Sequence, residues 1–486
     1  STGTAEDVDA IMKKFDRESN VRFYEGVPKK IVRYALAGFS LLMVYMNLFA
    51  NWDERVRRSL FVGIVILLVF TVFPMKKGNL RRNYIPWYDI LLAVLGGGSF
   101  FYYVFNFDTI IKHATRISQM EILIGVIGIL VLVEACRRVV GIPILIVASC
   151  FVIYAFASGK TLKTVIYNLY YTTGGVIGTP IGVCSTYIVL FIIFGAFLEA
   201  TGISEFFIQA ANSIAGASTG GPAKVAVISS ALCGMVSGSS VANTVTTGSV
   251  TIPLMKKVGY RPAFAGAVEA VASTGGQLMP PVMGTAAFLM ADLSGAGYLN
   301  VAKAALLPAI MYYLALLTMI HLEAVKRNLG RTPAELIPEA KSVVRRLYYL
   351  LPIGVLIALL AMGRNVVFCA NIATLSAVIL AMFKAETRFT FKSFLDALVA
   401  SSRSALRVSA CCACSGIIIG VLSLTGIGYK FINLITILAG NSLFLLMVYL
   451  MLTSFVLGMG VPTTPAYIVV ATLGAPALIK AGAAPI

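Results

Sequence analysis

The sequence predicts an all-α membrane protein of inverted-repeat, elevator-like architecture. It has two reentrant helical hairpins, one broken helix and an N-terminal four-helix membrane domain. Three observations predict it. The 486 residues are 58% hydrophobic and only 12% charged, against about a quarter charged in a water-soluble domain. Apolar runs near the ~20 residues that cross hydrocarbon recur along the whole chain. Residues 198–216 and 422–440, at a constant offset of 224, share eight of nineteen residues. With lipid as solvent the backbone must satisfy itself, so the class is helical.

The net charge of +18 does not point to nucleic acid. Lysines and arginines stand in short clusters between apolar runs, where the positive-inside rule puts them, so membrane lipid is the expected partner. The eight cysteines lie in or beside apolar helices without zinc-type spacing, which favours small-residue packing over metal. The chain opens on a polar, charged stretch rather than an apolar core, so no signal peptide is expected.

Lys13, Lys14, Arg22, Lys29, Lys30 and Arg33 precede the first span and predict a cytoplasmic N-terminus. Four spans are expected near 34–50, 60–74, 88–105 and 121–136, and a fifth at 142–157. An amphipathic stretch, 161–171, is expected in the interface, and a span at 183–200 follows. Residues 222–236 and 241–254 are each too short to cross comfortably and flank Ser237-Gly238-Ser239-Ser240. They read as a reentrant hairpin. Residues 263–271 and 286–292 flank Ser273–Pro281, a span broken by Gly275, Gly276 and paired prolines. Further spans are expected near 304–323, 347–362, 366–383 and 405–424. A second hairpin, 443–457 and 466–479, surrounds Gly458–Pro465.

Counting spans gives the two repeats opposite directions through the membrane. Inverted repeats with helix breaks at mid-membrane are the architecture of alternating-access carriers, with substrate and ions bound at the breaks. Repeat one runs from about 141 to 325 and repeat two from about 365 to 486. The second has no counterpart of Ser273–Pro281, so a C-terminal truncation is expected.

Three stretches then resemble a known family: Ser237-Gly-Ser-Ser-Val-Ala-Asn243-Thr244, Ala272-Ser-Thr-Gly-Gly-Gln-Leu-Met-Pro-Pro281 and Gly458-Met-Gly-Val-Pro-Thr-Thr464. They resemble the fused membrane permeases of TRAP transporters, in particular those paired with TAXI-type solute-binding proteins. The resemblance implies a cytoplasmic segment 1–30, a region 31–138 like the small subunit, and a large transport subunit over 139–486. It also implies a carrier without ATP or cofactor, coupled to Na⁺ or H⁺, in a bacterial or archaeal inner membrane. A periplasmic TAXI-type binding protein would deliver a small organic acid, of dicarboxylate or amino-acid class.

A hard cation takes oxygen ligands, and broken helices free carbonyls to supply them. The first candidate cation site is therefore Ser237 and Ser240 with the backbone at Gly275, Gly276, Leu278 and Pro280. A second, incomplete site is Gly458, Gly460, Thr463 and Thr464. Ser239, Asn243, Thr244, Gln277 and Pro462 are candidate substrate residues. Small-residue packing explains the same composition at both hairpins. Glu269, an acid within an apolar arm, is a candidate either for proton coupling or for fixing a hairpin by hydrogen bonds. Gly216-Ala-Ser218-Thr-Gly220 matches a nucleophile elbow, but it falls between membrane helices and the chain has two histidines. No phosphate-binding GxxxxGK[ST] occurs. The expectation is a carrier rather than an enzyme; the rival is an ion channel or a membrane scaffold.

Overall fold

The computed structural model describes residues 21–75, 82–113, 115–383, 388–440, 442–459 and 462–483, and every regular element among them is helical. Gly26–Leu48, Trp87–Phe105, Thr179–Ala200, Tyr298–Lys326 and Phe391–Thr425 are long and apolar enough to cross a membrane. The pair Ala334–Arg345 and Leu347–Ala361, bent by 66°, adds a sixth if it is one span. The chain is a multi-pass membrane protein. Lys13 and Lys14, on which the predicted orientation leans, lie outside the described residues.

Backbone contacts divide the described chain into two units, one within 190–401 and one combining 21–189 with 402–483. In the second unit, side-chain caps start Glu54–Val72 and Gln119–Val139. Asp53 accepts from the Arg55 N–H at 2.8 Å, and Ser118 and Glu121 form a reciprocal capping box on Gln119–Val139. Glycines set the helix spacing. A Cβ on Gly96 would stand 2.4 Å from Val131, and one on Gly128 would stand 2.4 Å from the Tyr170 ring.

That ring corrects an expectation. Only the start of 161–171 is exposed; Val165, Leu169 and Tyr170 are buried, so the stretch is core rather than interface. After Leu162–Ile166 the helix widens into a π-turn, Tyr167–Tyr171, which shifts the aromatic rings off a 3.6-residue period. Tyr170 then fills the space at Gly128, and the Tyr171 hydroxyl donates to the Glu121 carbonyl at 2.7 Å. The Tyr171 tip thus keeps a partner as its ring is buried.

The same unit buries an ion cluster. Asp89, 1% exposed, pairs through Oδ1 with Arg138 Nη2 at 2.6 Å and through Oδ2 with Arg22. Arg138 also donates from Nε to Glu134 at 2.9 Å and lies 4.5 Å over the Phe70 ring. Asp89→Asn leaves two buried guanidiniums without their shared counter-charge, a loss of about 3–5 kcal/mol. The purified chain is expected to melt at a clearly lower temperature. An unchanged melting temperature would show that the cluster adds no net stability.

Each unit contains one copy of the repeated motif, in matching local conformation. In Thr201-Gly202-Ile203 the glycine has φ +86°, and helix Ile203–Ala215 follows. In Thr425-Gly426-Ile427 the glycine has φ +64°, and Ile427–Leu438 follows. The shared glycine is thus a left-handed corner that other residues adopt only under strain. Upstream, Thr161 accepts from the Thr164 N–H at 3.3 Å and Thr390 from the Ser393 N–H at 3.2 Å. The matching Thr-x-Lys-Thr and Thr-x-Lys-Ser sequences are therefore one kind of helix cap.

Candidate functional site

Hairpin one consists of Gly221–Ser237 and Ser240–Lys257, joined at Gly238 and Ser239. Gly238 has φ +57°, and a Cβ there would lie 2.1 Å from the Met283 carbonyl oxygen, so the corner excludes a side chain twice over. Ser239 caps the second arm by accepting from the Ala242 N–H at 3.3 Å. Beyond the hairpin, Pro262–Gly275 runs into a 3-10 turn, Gly276–Leu278, and a helix resumes at Thr285–Ser294. The predicted hairpin and break are both present.

Their backbones touch. A Cβ on Gly234 would stand 2.2 Å from Gly276 Cα, and one on Gly276 would stand 2.9 Å from Asn243 Nδ2. The break then closes on itself: Gly284 N–H donates to the Gln277 carbonyl at 2.8 Å, and Met279 N–H to Gly276 at 3.2 Å. The Tyr298 hydroxyl reaches the carbonyls of Pro281 (2.6 Å) and Val282 (2.5 Å). Paired prolines remove two N–H donors here, and the single hydroxyl proton of Tyr298 serves the carbonyls of Pro281 and Val282 between them.

Glu269 fastens this assembly. Fully buried, it accepts at Oε1 from Ser230 at 3.1 Å, from Ser273 at 3.2 Å and from Thr247. At Oε2 it meets Thr251 at 2.5 Å. Ser230 belongs to the first arm of the hairpin, Thr247 and Thr251 to the second, and Ser273 to the broken helix. Thr251 also reaches the Thr247 carbonyl at 3.0 Å, yet a hydroxyl has one proton to give. Turning that hydroxyl lets the network hold a carboxylate; turned back, it accepts from a carboxylic acid.

Asn243 is 1% exposed. Its Nδ2 donates to the Ser230 carbonyl at 2.8 Å, which fixes the direction of the amide. Its Oδ1 is buried and has no hydrogen-bond partner among the described residues. Such an orphan acceptor is rare in a folded protein and calls for a reason.

The structure gathers the candidates around hairpin one. Ser240 Oγ accepts from Gln277 Nε2 at 3.2 Å, and Thr244 Oγ1 is turned back to the Ser240 carbonyl at 2.8 Å. Ser237 lines a cavity with Asn243 on its other arm, whereas the Leu278 side chain is 43% exposed. Gly275 and Gly276 are buried, and Pro280 lies partly buried in the break. At hairpin two, Gly458 ends one arm and is exposed, Pro462 precedes the other, and Thr463 and Thr464 begin it. Gly460 lies outside the described residues. Sequence reasoning missed Ser230, Thr247 and Thr251, although Asn243, Thr247 and Thr251 follow at i, i+4 and i+8 on one helix face.

Residues 127–486, about three-quarters of the chain, match the profile of the tripartite ATP-independent periplasmic transporter, DctM component. The chain belongs to this family. Among its TRAP relatives is the C4-dicarboxylate large permease protein of Pseudomonas aeruginosa, 29% identical over 173 residues, or 36% of this chain and 39% of that one. The C4-dicarboxylate large permease of Vibrio cholerae is 32% identical over 146 residues, 29% of this chain and 31% of its own. The sialic acid permease SiaT of Haemophilus influenzae is 29% identical over 143 residues, 29% of this chain and 23% of its own. The chain thus spans less than two-fifths of the length of each of these TRAP permeases.

Proposed function

We propose that this TRAP-family chain is the permease of a secondary importer, driven by a cation gradient and working by an elevator mechanism in a bacterial or archaeal inner membrane. Its substrate is a small organic acid, delivered by a periplasmic solute-binding protein of TAXI type. One observation carries the reading: hairpin one and the broken helix are held together at Gly234 and Gly276, beside the buried, unpartnered Oδ1 of Asn243. Oxygen atoms at a helix break, away from bulk water, suit a small coupling cation. The relatives' names support an organic acid, since C4-dicarboxylates and sialic acid both carry carboxylates. The family match starts at residue 127, and the apolar helices before it support a fused small subunit over 31–138.

Uptake into proteoliposomes, with the binding protein present and Na⁺ and H⁺ gradients imposed separately, tests this reading. Saturable uptake that follows one gradient supports it. Ion conductance without saturable uptake would replace it with a channel. Within the same assay, Ser240→Ala removes a hydroxyl bonded to Gln277. It is expected to raise the half-saturating cation concentration about five- to a hundredfold, the equivalent of about 1–3 kcal/mol for a lost buried polar partner. Ser237→Ala is expected to act in the same direction. Unchanged cation dependence in both folded variants would make these serines packing residues.

A further inference from the structure

The orphan oxygen of Asn243 shares a cavity with an acid that the reading above does not use. This cavity lies beside hairpin one; its polar lining is Cys233 and Ser237 of the first arm, Asn243 and Thr246 of the second, Glu199 near the end of Thr179–Ala200 and Ser204 of Ile203–Ala215. It leaves about 10 Å³ for the centre of a water-sized sphere. That is room for one water or one small dehydrated ion. No lysine, arginine or histidine lines it.

Its polar atoms are mostly acceptors. The Asn243 amide turns Nδ2 to the Ser230 carbonyl, leaving Oδ1 without a donor. Glu199 Oε1 accepts from Thr246 Oγ1 in a long bond of 3.3 Å, and a carboxylate has about four acceptor positions. One carboxylate and an unpartnered amide oxygen, with hydroxyls that can turn their oxygens inward and, among the described residues, no lysine, arginine or histidine, favour a cation over an anion. One carboxylate balances one positive charge. A divalent ion would keep an unbalanced positive charge beside a single carboxylate.

We propose that this cavity binds one monovalent cation of Na⁺ size, with Glu199, which also meets solvent, as its counter-charge and the buried Asn243 Oδ1 as a neutral ligand. The cation ties both arms of hairpin one to the helix that carries Glu199. This deepens the cation-coupled reading by adding a second ion position, away from the contact between Ser240 and Gln277; the binding itself does not depend on transport.

The test is equilibrium binding of radiolabelled Na⁺ to the full purified chain in nanodiscs, with choline replacing Na⁺ in the buffer. Glu199→Gln keeps the shape and removes the charge. It is expected to raise the half-saturating Na⁺ concentration at least about tenfold, or to remove one bound ion. Glu199→Asp keeps the charge and is expected to retain the ion. In wild type, Na⁺ is also expected to slow alkylation of Cys233, read by peptide mass spectrometry, and to lose this effect in Glu199→Gln. Should Glu199→Gln fail to fold, Thr246→Val, which removes the hydroxyl bonded to Glu199, is expected to weaken Na⁺ binding in the same direction. Wild-type Na⁺ binding in the folded variants, with Cys233 labelling indifferent to Na⁺, overturns the proposal and leaves a water in the cavity. Na⁺ binding that needs Glu199 in a chain without gradient-driven uptake would retain this site and sink the importer reading alone.

Discussion

Glu269→Ala is expected to destabilise the chain more than any other single change at hairpin one. The substitution removes Glu269 Oε1, the acceptor that Ser230 and Ser273 share, and leaves them the hydroxyl–hydroxyl contacts Ser230–Thr247 at 3.1 Å and Ser230–Ser273 at 3.5 Å, too few acceptors for the protons present. Each buried group left without a partner costs about 1–3 kcal/mol, and the missing side chain leaves a cavity besides. Thr247 and Thr251 lose less, since each retains a backbone acceptor four residues back. Thermal melting of the purified chain reads the effect; melting as in wild type would mean that the carboxyl fastens nothing. Glu269→Gln is a different experiment. Its oxygen can replace Oε1, and its NH₂ can donate to Thr251 while Thr251 donates to the Thr247 carbonyl. The variant is expected to fold but to lose uptake driven by a pH gradient alone, because an amide carries no exchangeable acid proton. Uptake that still follows pH would remove Glu269 from proton coupling and leave it as a fastener.

The second large effect is expected at Gly234. A Cβ there meets backbone only: Gly276 Cα at 2.2 Å, and its carbonyl carbon and oxygen at 2.9 Å. No side chain can rotate out of the way, so Gly234→Ala must push the hairpin from the break. Overpacking of this kind costs about 1–3 kcal/mol, or about five- to a hundredfold in the population of the joined form. Cation-dependent uptake is expected to fall by a similar factor. Gly266→Ala is the control, because it lies on Pro262–Gly275 with nothing within 4 Å of its added carbon. Equal uptake by the two variants would mean that the close approach at Gly234 is not needed.

Both hairpins and the break are legible in the sequence because each is a local fact. An arm shorter than a span, followed by Ser-Gly-Ser or Pro-Pro, has nowhere to continue as a helix. Glu269 is legible too, as an acid in an apolar run. Its partners are not, since Ser230 stands 39 residues away and Thr247 stands 22 away, and spacing within one helix carries no address on another. The same reason hides the partner of Glu199, since Thr246 stands 47 residues away. Tyr170 and Tyr171 were misread for another reason, because a π-turn breaks the period on which the amphipathic reading depends.

The ion cluster at Asp89 bears on the order in which the ribosome delivers this molecule. Arg22 emerges first but has no acid to hold until Asp89, 67 residues later, and Asp89 gains its second guanidinium only with Arg138, 49 residues after that. Arg22 therefore lacks its counter-charge until Trp87–Phe105, which carries Asp89, has been synthesised, and the cluster is complete only with Gln119–Val139. Ser40, on the first long helix, waits longer still. Its hydroxyl pairs with that of Ser402 at 2.6 Å across 362 residues, so Gly26–Leu48 keeps one buried contact open until residue 402 has been synthesised.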